Sequence, residues 1–277
     1  MTGSDITVTP IAGALGAEIG GVDLADVDDA TVAAIRAAWL EHLVVFFRDQ
    51  TLDADAFLAF ARRMGEPVEY PFVRGIDGYP QIIEVAKLPH ETVNFGGIWH
   101  SDTAYLDVPP MGTMLLAREI PPVGGDTLFA NMYAAFEALS PALQDMLDGL
   151  SAVNTSALAD VSKTREDRIA DGGAADAVEY VAEHPVVRTH PETGRKALYV
   201  NVAHTARFAG MTEAESHGLL RYLFEHSVRP EFTCRFRWEV GSLALWDNRC
   251  AQHNPVNDYH GHTRRMLRIT LAGDEPR

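Results

Sequence analysis

The chain has 277 residues, of which 47% are hydrophobic and 22% charged, a balance typical of a soluble globular protein that can bury a sizeable core. Its net charge of −16 argues against nucleic acid and anionic membrane surfaces as partners, because both are bound by clustered Lys and Arg. The charge does not exclude small anionic ligands, since a few inward-pointing arginines can dominate the local field.

Sequence signals for export and for membrane insertion are missing. Cys234 and Cys250 are the only cysteines, so no disulfide framework is indicated. The N-terminal residues do not form a basic region followed by an apolar one, and the apolar runs are too short to span a bilayer. We therefore expect a cytoplasmic protein that forms a single domain over residues 1–277.

The first third of the chain predicts strands and helices in alternation. A short strand at ITVTPI and glycine-rich turns precede a helix through TVAAIRAAWLEHL, capped by Asp28 or Asp29. LVVFF (43–47) predicts a buried strand, and DAFLAFARRM predicts a second helix that stops at Gly65. Residues 67–97 are rich in Pro, Gly and isolated charges, which indicates long loops around one strand, IIEV.

The rest of the chain is richer in strands. The strand-like segments are MGTMLLA, DTLFANM, HPVVRTH, KALYVN, FTCRFRW, SLALW and RRMLRITL. Helices are predicted at PALQDMLDGL, which begins with Ser140-Pro141, and at TEAESHGLLRYLFEH. The polar segment 157–180 is too long for an ordinary connection, so we expect it and residues 67–97 to act as mobile lids. Many short strands predict an antiparallel sandwich or barrel with the helices outside it.

A candidate metal site begins in GGIWHSDTAY (96–105). If this segment is an extended strand, the side chains of His100 and Asp102 project from the same face and both reach one ion. The tripeptide alone is weak, and the alternative is a surface strand with two hydrogen-bonding residues. His253, which follows the strand SLALW, is the candidate third ligand, although a lone histidine there is more often a satisfied polar residue. Two histidines and one carboxylate would leave the other positions of an iron ion open.

Two arginines near the C-terminus suit anionic ligands. In RRMLRITL, Arg264 and Arg268 share one face of the predicted strand, about 13 Å apart. This separation suits two anions on either side of a metal, because a guanidinium binds a carboxylate through paired hydrogen bonds. The pattern alone favours a plainer alternative, in which the polar face is solvated and only the apolar face packs against the core.

Four motifs occur together in a characteristic order and spacing: WHSD, GGDT (124–127), WDNRCAQH and the closing RRMLRITLAGDEP. In these the chain resembles the taurine / 2,4-dichlorophenoxyacetate dioxygenase family of non-haem iron(II), 2-oxoglutarate-dependent oxygenases, over nearly its whole length. The resemblance implies a mainly β fold with flanking helices, a double-stranded β-helix (jelly roll) in a single domain. It implies that His100, Asp102 and His253 are the catalytic iron ligands. It also implies that Thr127 and Arg264 bind 2-oxoglutarate and that Arg268 holds an anionic substrate.

The predicted substrate pocket departs from that of the taurine enzyme. Tyr70 stands in place of a histidine, Val73 of a tyrosine and Gly96 of an asparagine, while Tyr105 and His204 each replace a phenylalanine. Taurine therefore fits poorly. We expect a different small organic anion, with its charge on Arg268 and its remaining groups near the other substituted positions.

The resemblance implies that Fe(II), 2-oxoglutarate and O2 hydroxylate a small carboxylate, sulfonate or sulfate ester, releasing succinate and CO2. Cleavage of a C–O or C–S bond would follow where the hydroxylated product collapses. Desaturation or another biosynthetic outcome is the alternative within the family. A zinc hydrolase and a non-catalytic jelly-roll binding module are the alternatives outside it. Exposed helices often form homo-oligomer contacts in this family, so a homo-oligomer is expected.

Overall fold

The computed structural model describes residues 6–158 and 179–277. The strands are β1 (Thr7–Pro10), β2 (Ala17–Gly20), β3 (Val44–Phe47), β4 (Pro67–Val68), β5 (Ile82–Lys87), β6 (Gly112–Glu119), β7 (Thr127–Asn131), β8 (Ser151–Thr155), β9 (Val181–Pro185), β10 (Val187–Thr189), β11 (Lys196–Leu198), β12 (Thr205–Phe208), β13 (Thr233–Phe236), β14 (Leu243–Asp247), β15 (Ala251–Pro255) and β16 (Arg264–Leu271). The helices are α1 (Asp29–His42), α2 (Ala54–Met64), α3 (Met132–Glu137), α4 (Pro141–Asp148) and α5 (Glu213–Ser227).

The largest sheet has the strand order β1-β2-β3-β14-β6-β16-β4, and β5 also pairs with β16. Its pairings are antiparallel except for that of β2 with β3. A second sheet, β13-β7-β15, is joined to it by aromatic packing: the ring of Phe46 on β3 stacks 3.9 Å from Phe236 of β13 and lies 5.6 Å from Phe129 of β7. Smaller sheets are formed by β12-β8-β9 and β10-β11.

The large sheet is covered on both faces. Alternate residues of β3 enter different cores, with Val44 and Phe46 between the two sheets and Val45 and Phe47 against the helices. Trp39 of α1 is in the helix-side core, together with side chains of α2. The prediction of a mainly β fold with the helices packed outside it is confirmed.

The same alternation of side chains along a strand determines the direction of Arg264 and Arg268, the two candidate anion-binding residues. On β16, Met266 belongs to the core between the sheets, while Ile269 and Leu271 belong to the core on the helix side. Side chains alternate along a strand, so Arg264 and Arg268 lie on the face of Met266, between the two sheets. Each is only 5% exposed. The alternative of a solvated polar face is therefore wrong, because a second sheet covers it.

The helices begin where the sequence indicates. The Asp28 carboxylate accepts a hydrogen bond from the backbone N–H of Thr31, which makes Asp28 the cap of α1. Helix α5 begins with a capping box between Thr212 and Glu215. None of the described helices is long and apolar enough to cross a membrane.

Several expectations about local structure are wrong. The H-x-D segment is not a strand: His100 forms a single isolated bridge with His253, and the chain then turns, with Thr103 at φ +42°. His253 follows β14 as expected, but it lies within a further strand, β15, which the sequence did not predict. The sequence also missed β2, β8, β12 and the short helix α3. Most of the predicted lid at 157–180 lies outside the described residues.

Candidate active site

His100, Asp102 and His253 converge in the interior. Each is less than a tenth exposed, and one ligand atom from each lies within 4.8 Å of the others. Asp102 Oδ1 is 3.7 Å from His100 Nε2 and 4.0 Å from His253 Nε2. Two imidazole nitrogens and a carboxylate oxygen are a donor set that suits a non-haem Fe(II) ion with open positions.

Backbone pairing, rather than one strand, brings the three residues together. The N–H of His100 donates to the carbonyl of His253 at 3.0 Å, and the reverse bond is 2.8 Å. Paired residues of neighbouring strands project to the same side, which places the two imidazoles next to each other, with ring centroids 4.1 Å apart and ring planes tilted by 49°. The turn after His100 then swings Asp102 back toward both rings.

The imidazoles are oriented for coordination through Nε2. His100 Nδ1 donates to the carbonyl of Ile98 at 2.7 Å, which leaves the Nε2 lone pair free. The ring of His253 packs near Trp246 and Phe129, with ring centroids 4.7 and 6.2 Å away. Its Nδ1 has no hydrogen-bond partner among the described residues.

Burial also sets the protonation states that a metal requires. Burial lowers the pKa of His100, and it lowers the pKa of His253 still further, so both imidazoles are neutral near pH 7. Burial would raise the pKa of Asp102, but the adjacent Arg268 guanidinium and the two histidines hold it well below its ordinary value. Neutral imidazoles and an ionised carboxylate bind a divalent cation without first losing a proton.

Arg264 is positioned to receive an anion. Its Nε donates to the carbonyl of Gly125 at 3.0 Å, while its buried Nη2 has no partner among the residues that the structure describes. Its guanidinium lies 5.6 Å from the ring of Trp238, and the Trp238 indole N–H donates to Thr127 Oγ1 at 2.9 Å. Thr127 is 2% exposed, and its hydroxyl hydrogen is left to donate. A guanidinium with a free Nη2, and a hydroxyl bonded to the Trp238 side chain that this guanidinium contacts, fit the carboxylate of a bound acid.

Arg268 has a different environment. Its Nη2 forms an ion pair with Asp102 Oδ1 at 2.9 Å, and its guanidinium lies 4.9 Å from the ring of Tyr70. Its Nε has no hydrogen-bond partner in the described part of the chain. Arg268 therefore lies at the metal-ligand cluster, whereas Arg264 contacts Trp238, which in turn donates to Thr127.

An aromatic wall adjoins Arg268. Tyr105 is 4.9 Å from His204, and His204 is 6.0 Å from His100, all as ring centroids. Burial lowers the pKa of His204 to about 3, so this imidazole is neutral, and its Nδ1 has no partner among the described residues. The predicted pocket residues Tyr70, Tyr105 and His204 are all buried in this wall.

Two residues of the aromatic wall, Phe72 and Tyr180, were not identified from the sequence. The ring of Phe72 lies 5.4 Å from Tyr70, 5.7 Å from Tyr105 and 5.3 Å from Tyr180. Phe72 lies two residues after Tyr70 in the run Tyr-Pro-Phe, where residues 71 and 72 form a turn rather than a strand, so strand alternation could not have predicted this contact. No local pattern marked Tyr180.

Gly96 lies against a candidate metal ligand. A Cβ atom at this position would come within 2.9 Å of His100 Cε1 and 3.2 Å of His100 Nε2, and the backbone has φ +69°. A larger residue would therefore strain the backbone and press on the ligand nitrogen.

A second buried cluster of metal-ligand residue types contains His190, Asp247 and Cys250. Both oxygens of Asp247 accept from Arg249, at 2.8 and 2.6 Å, and one also accepts from His190 Nε2 at 3.1 Å. His190 Nδ1 accepts two backbone N–H groups. These groups already satisfy one another, so the cluster is a structural network.

Comparison with known proteins identifies the chain. The model of the family described as "Taurine catabolism dioxygenase TauD, TfdA family" matches residues 7–270. An alpha-ketoglutarate-dependent sulfate ester dioxygenase of Pseudomonas putida is 38% identical, covering 98% of this chain and 91% of its own length. An alkylsulfatase of Acinetobacter baylyi is 36% identical, covering 95% of this chain and 84% of its own length.

Solved structures agree with this assignment. The crystal structure of a taurine dioxygenase from Burkholderia xenovorans superposes with a TM-score of 0.83 at 39% identity, covering 98% of this chain and 92% of that chain. The predicted jelly-roll fold and the predicted enzyme class are confirmed. The chain belongs to the TauD/TfdA family and is an oxidoreductase, a dioxygenase that uses Fe(II), 2-oxoglutarate and O2.

Proposed function

We propose that this enzyme hydroxylates a small organic anion at the iron centre formed by His100, Asp102 and His253, and that the anion is a sulfate ester, a sulfonate or a carboxylate. The observation that carries the proposal is the pair of buried arginines on one face of β16. Arg264 has a free guanidinium nitrogen and contacts Trp238, which donates to Thr127, while Arg268 Nη2 lies 2.9 Å from Asp102 Oδ1. Two separated arginine side chains near one metal site suit two different anionic ligands.

The co-substrate is assigned to the Arg264 end. Fe(II) and 2-oxoglutarate supply the oxidising chemistry when bound, with 2-oxoglutarate and O2 converted into succinate and CO2. Arg264 Nη2 and the hydroxyl of Thr127 bind the far carboxylate of 2-oxoglutarate. A guanidinium held on two other sides by Gly125 and Trp238 orients that carboxylate as well as attracting it.

The substrate anion is assigned to Arg268. A charge bound there lies next to Asp102, so the carbon atoms joined to the anion are the ones nearest the metal. Small misplacements of a reacting carbon cost a large fraction of the rate, which makes Arg268 the residue that selects the carbon to be oxidised. Tyr70, Tyr105, His204 and the space left by Gly96 would then contact the carbon skeleton.

Sulfate esters are the substrates that we place first. Two relatives that cover more than nine tenths of this chain are named for sulfate-ester chemistry. Hydroxylation of the carbon bearing the sulfate oxygen gives an unstable product, which splits into an aldehyde and hydrogen sulfate as the C–O bond breaks. The aromatic wall favours an alkyl or aryl chain over the short polar amine of taurine.

The cellular setting is part of the same proposal. We infer a cytoplasmic homo-oligomer that binds neither nucleic acid nor membranes, with residues 67–97 as a lid over the pocket. The net charge of −16 supports the absence of nucleic-acid and membrane partners, and the loop-rich course of residues 67–97 supports the lid.

A substrate panel tests the assignment of roles. Alkyl sulfates, alkylsulfonates and aryloxyalkanoates are incubated with Fe(II), 2-oxoglutarate and air, and succinate is measured for wild type, Arg264→Met and Arg268→Met. We expect Arg264→Met to raise the KM for 2-oxoglutarate and Arg268→Met to raise the KM for the organic anion. Each KM should rise by about 30-fold or more, because each variant removes the arginine from a buried pair of arginine and bound anion. If Arg264→Met instead raised the KM for the organic anion and Arg268→Met the KM for 2-oxoglutarate, the two binding roles would be the reverse of those proposed.

A further inference from the structure

Thr113 lies behind the metal-ligand cluster on β6. It is fully buried, and it pairs in register with Trp246 of β14 and Thr270 of β16, in the centre of the large sheet. Neither the sequence motifs nor the family comparison singles it out. Its hydroxyl oxygen lies 2.6 Å from Asp102 Oδ2, a short hydrogen bond to a carboxylate.

The direction of this hydrogen bond follows from a chain of donors. The indole N–H of Trp246 donates to Asn248 Oδ1 at 2.9 Å, which fixes the orientation of the Asn248 amide. Asn248 Nδ2 therefore donates to Thr113 Oγ1, at 3.0 Å. The threonine hydroxyl has one hydrogen and its oxygen already accepts from Asn248, so that hydrogen is given to Asp102.

Asn248 also fixes the backbone of the same ligand. Its Oδ1 accepts from the N–H of Asp102 at 3.3 Å. Asp102 is thus held at its backbone by Asn248 and at Oδ2 by Thr113. Its other oxygen, Oδ1, is the one that faces His100 Nε2 and His253 Nε2, at 3.7 and 4.0 Å.

We propose that Thr113 is a positioning residue that makes Asp102 a ligand through Oδ1 alone. Because Oδ2 accepts the hydrogen bond from Thr113, the carboxylate cannot turn both oxygens toward the metal. The remaining metal positions therefore stay open for the co-substrate and oxygen. This inference rests on the proposed function of the cluster as the iron site.

The chain of hydrogen bonds from Trp246 through Asn248 and Thr113 to Asp102 is suited to hold the carboxylate in one orientation. All four residues, Trp246, Asn248, Thr113 and Asp102, are at most 3% exposed, so no bulk water competes for the hydrogen bonds. In a low-dielectric interior, consecutive bonds of one direction strengthen one another. Removal of the hydroxyl would leave Asp102 Oδ2 buried without its donor and would release the carboxylate from its fixed orientation.

Metal titration tests the inference without relying on turnover. The Mn(II) dissociation constant is measured for wild type, Thr113→Val, Thr113→Ser and Asp102→Ala. The control is Ser227→Ala, which removes a buried hydroxyl bond within α5 to the carbonyl of Leu223. We expect Thr113→Val to weaken Mn(II) binding by about 10- to 100-fold. Thr113→Ser should restore it, and Ser227→Ala should leave it unchanged.

The outcomes separate the inference from the proposed function. If Asp102→Ala loses Mn(II) while Thr113→Val binds as wild type, the role of Thr113 is wrong and the iron site stands. If Asp102→Ala binds Mn(II) as wild type does, the site itself is wrong. Thermal unfolding of the metal-free variants shows whether each is folded. Should Thr113→Val not fold, Thr113→Ala compared with Thr113→Ser decides in its place, and equal Mn(II) affinities there would overturn the inference.

Discussion

Arg264 and Arg268 show how two residues of one type on one strand face come to lie in different environments. Both are buried, but Arg264 is held by the carbonyl of Gly125 and the ring of Trp238, whereas Arg268 faces Asp102 and Tyr70. Strand alternation in the sequence predicted that they point the same way. It could not predict that the face is buried, because that depends on the second sheet packed above it.

Gly96 is a residue whose missing side chain matters. We expect Gly96→Ala to lower Mn(II) affinity, since the new Cβ would press on His100 at Cε1 and Nε2. The control is Gly194→Ala, which has the same φ of +69° but no atom within 4 Å of the added Cβ. Both variants should lose stability, by about 1–2 kcal/mol for the left-handed backbone, measured by urea unfolding. Equal Mn(II) affinity in the two variants would show that Gly96 does not act through His100.

At the scale of elements, the site depends on pairings that are distant in sequence. The H-x-D motif suggested a strand carrying two ligands, but only His100 is extended, and its partner is His253 of β15. The two residues that the motif singled out do lie together, because a tight turn brings Asp102 near His100. The motif could not predict the turn, which depends on contacts with Asn248 and Thr113, far away in the chain.

Trp238, just after β13, connects β7 to β16. Trp238→Phe keeps an aromatic ring near Arg264 but removes the N–H that donates to Thr127. One lost hydrogen bond of about 1 kcal/mol predicts roughly fivefold weaker 2-oxoglutarate binding to the Mn(II)-loaded enzyme, measured by calorimetry. Trp39→Phe is the matched control, because the buried Trp39 Nε1 has no partner among the described residues. Similar losses in both variants would mean that Trp238 acts only through packing.

At the scale of the whole molecule, a sheet covered on both faces separates two hydrophobic cores. The helices pack on one side, and the site lies on the other side, between the two sheets. A polar network centred on Asp247 lies in the connection between β14 and β15, which also carries Asn248. The stability of this network therefore bears on the geometry of the site.

Asp247 should make the protein sensitive to acid. Burial would raise its pKa, but hydrogen bonds from Arg249 and His190 lower it from 3.8 to about 2. A lowered folded-state pKa stabilises the protein above the unfolded value, and this contribution, roughly 2–3 kcal/mol, is lost as the pH falls through about 2.

Asp247→Asn removes this titration. The difference in free energy of unfolding between wild type and Asp247→Asn, measured by urea denaturation, should therefore be largest at pH 5 and above. It should fall by about 1 kcal/mol between pH 5 and pH 3. A difference that stays constant over that range would show that Asp247 does not titrate with a lowered pKa.

The central claim is that His100, Asp102 and His253 form the iron site of an oxygen-dependent enzyme. The most direct test measures succinate formed from 2-oxoglutarate with Fe(II) and an alkyl sulfate, in air and under argon, for wild type and Asp102→Ala. We predict that wild type forms succinate and aldehyde in equal amounts in air and neither under argon, and that Asp102→Ala forms neither in air. Release of sulfate under argon, or full activity in Asp102→Ala, would contradict the claim.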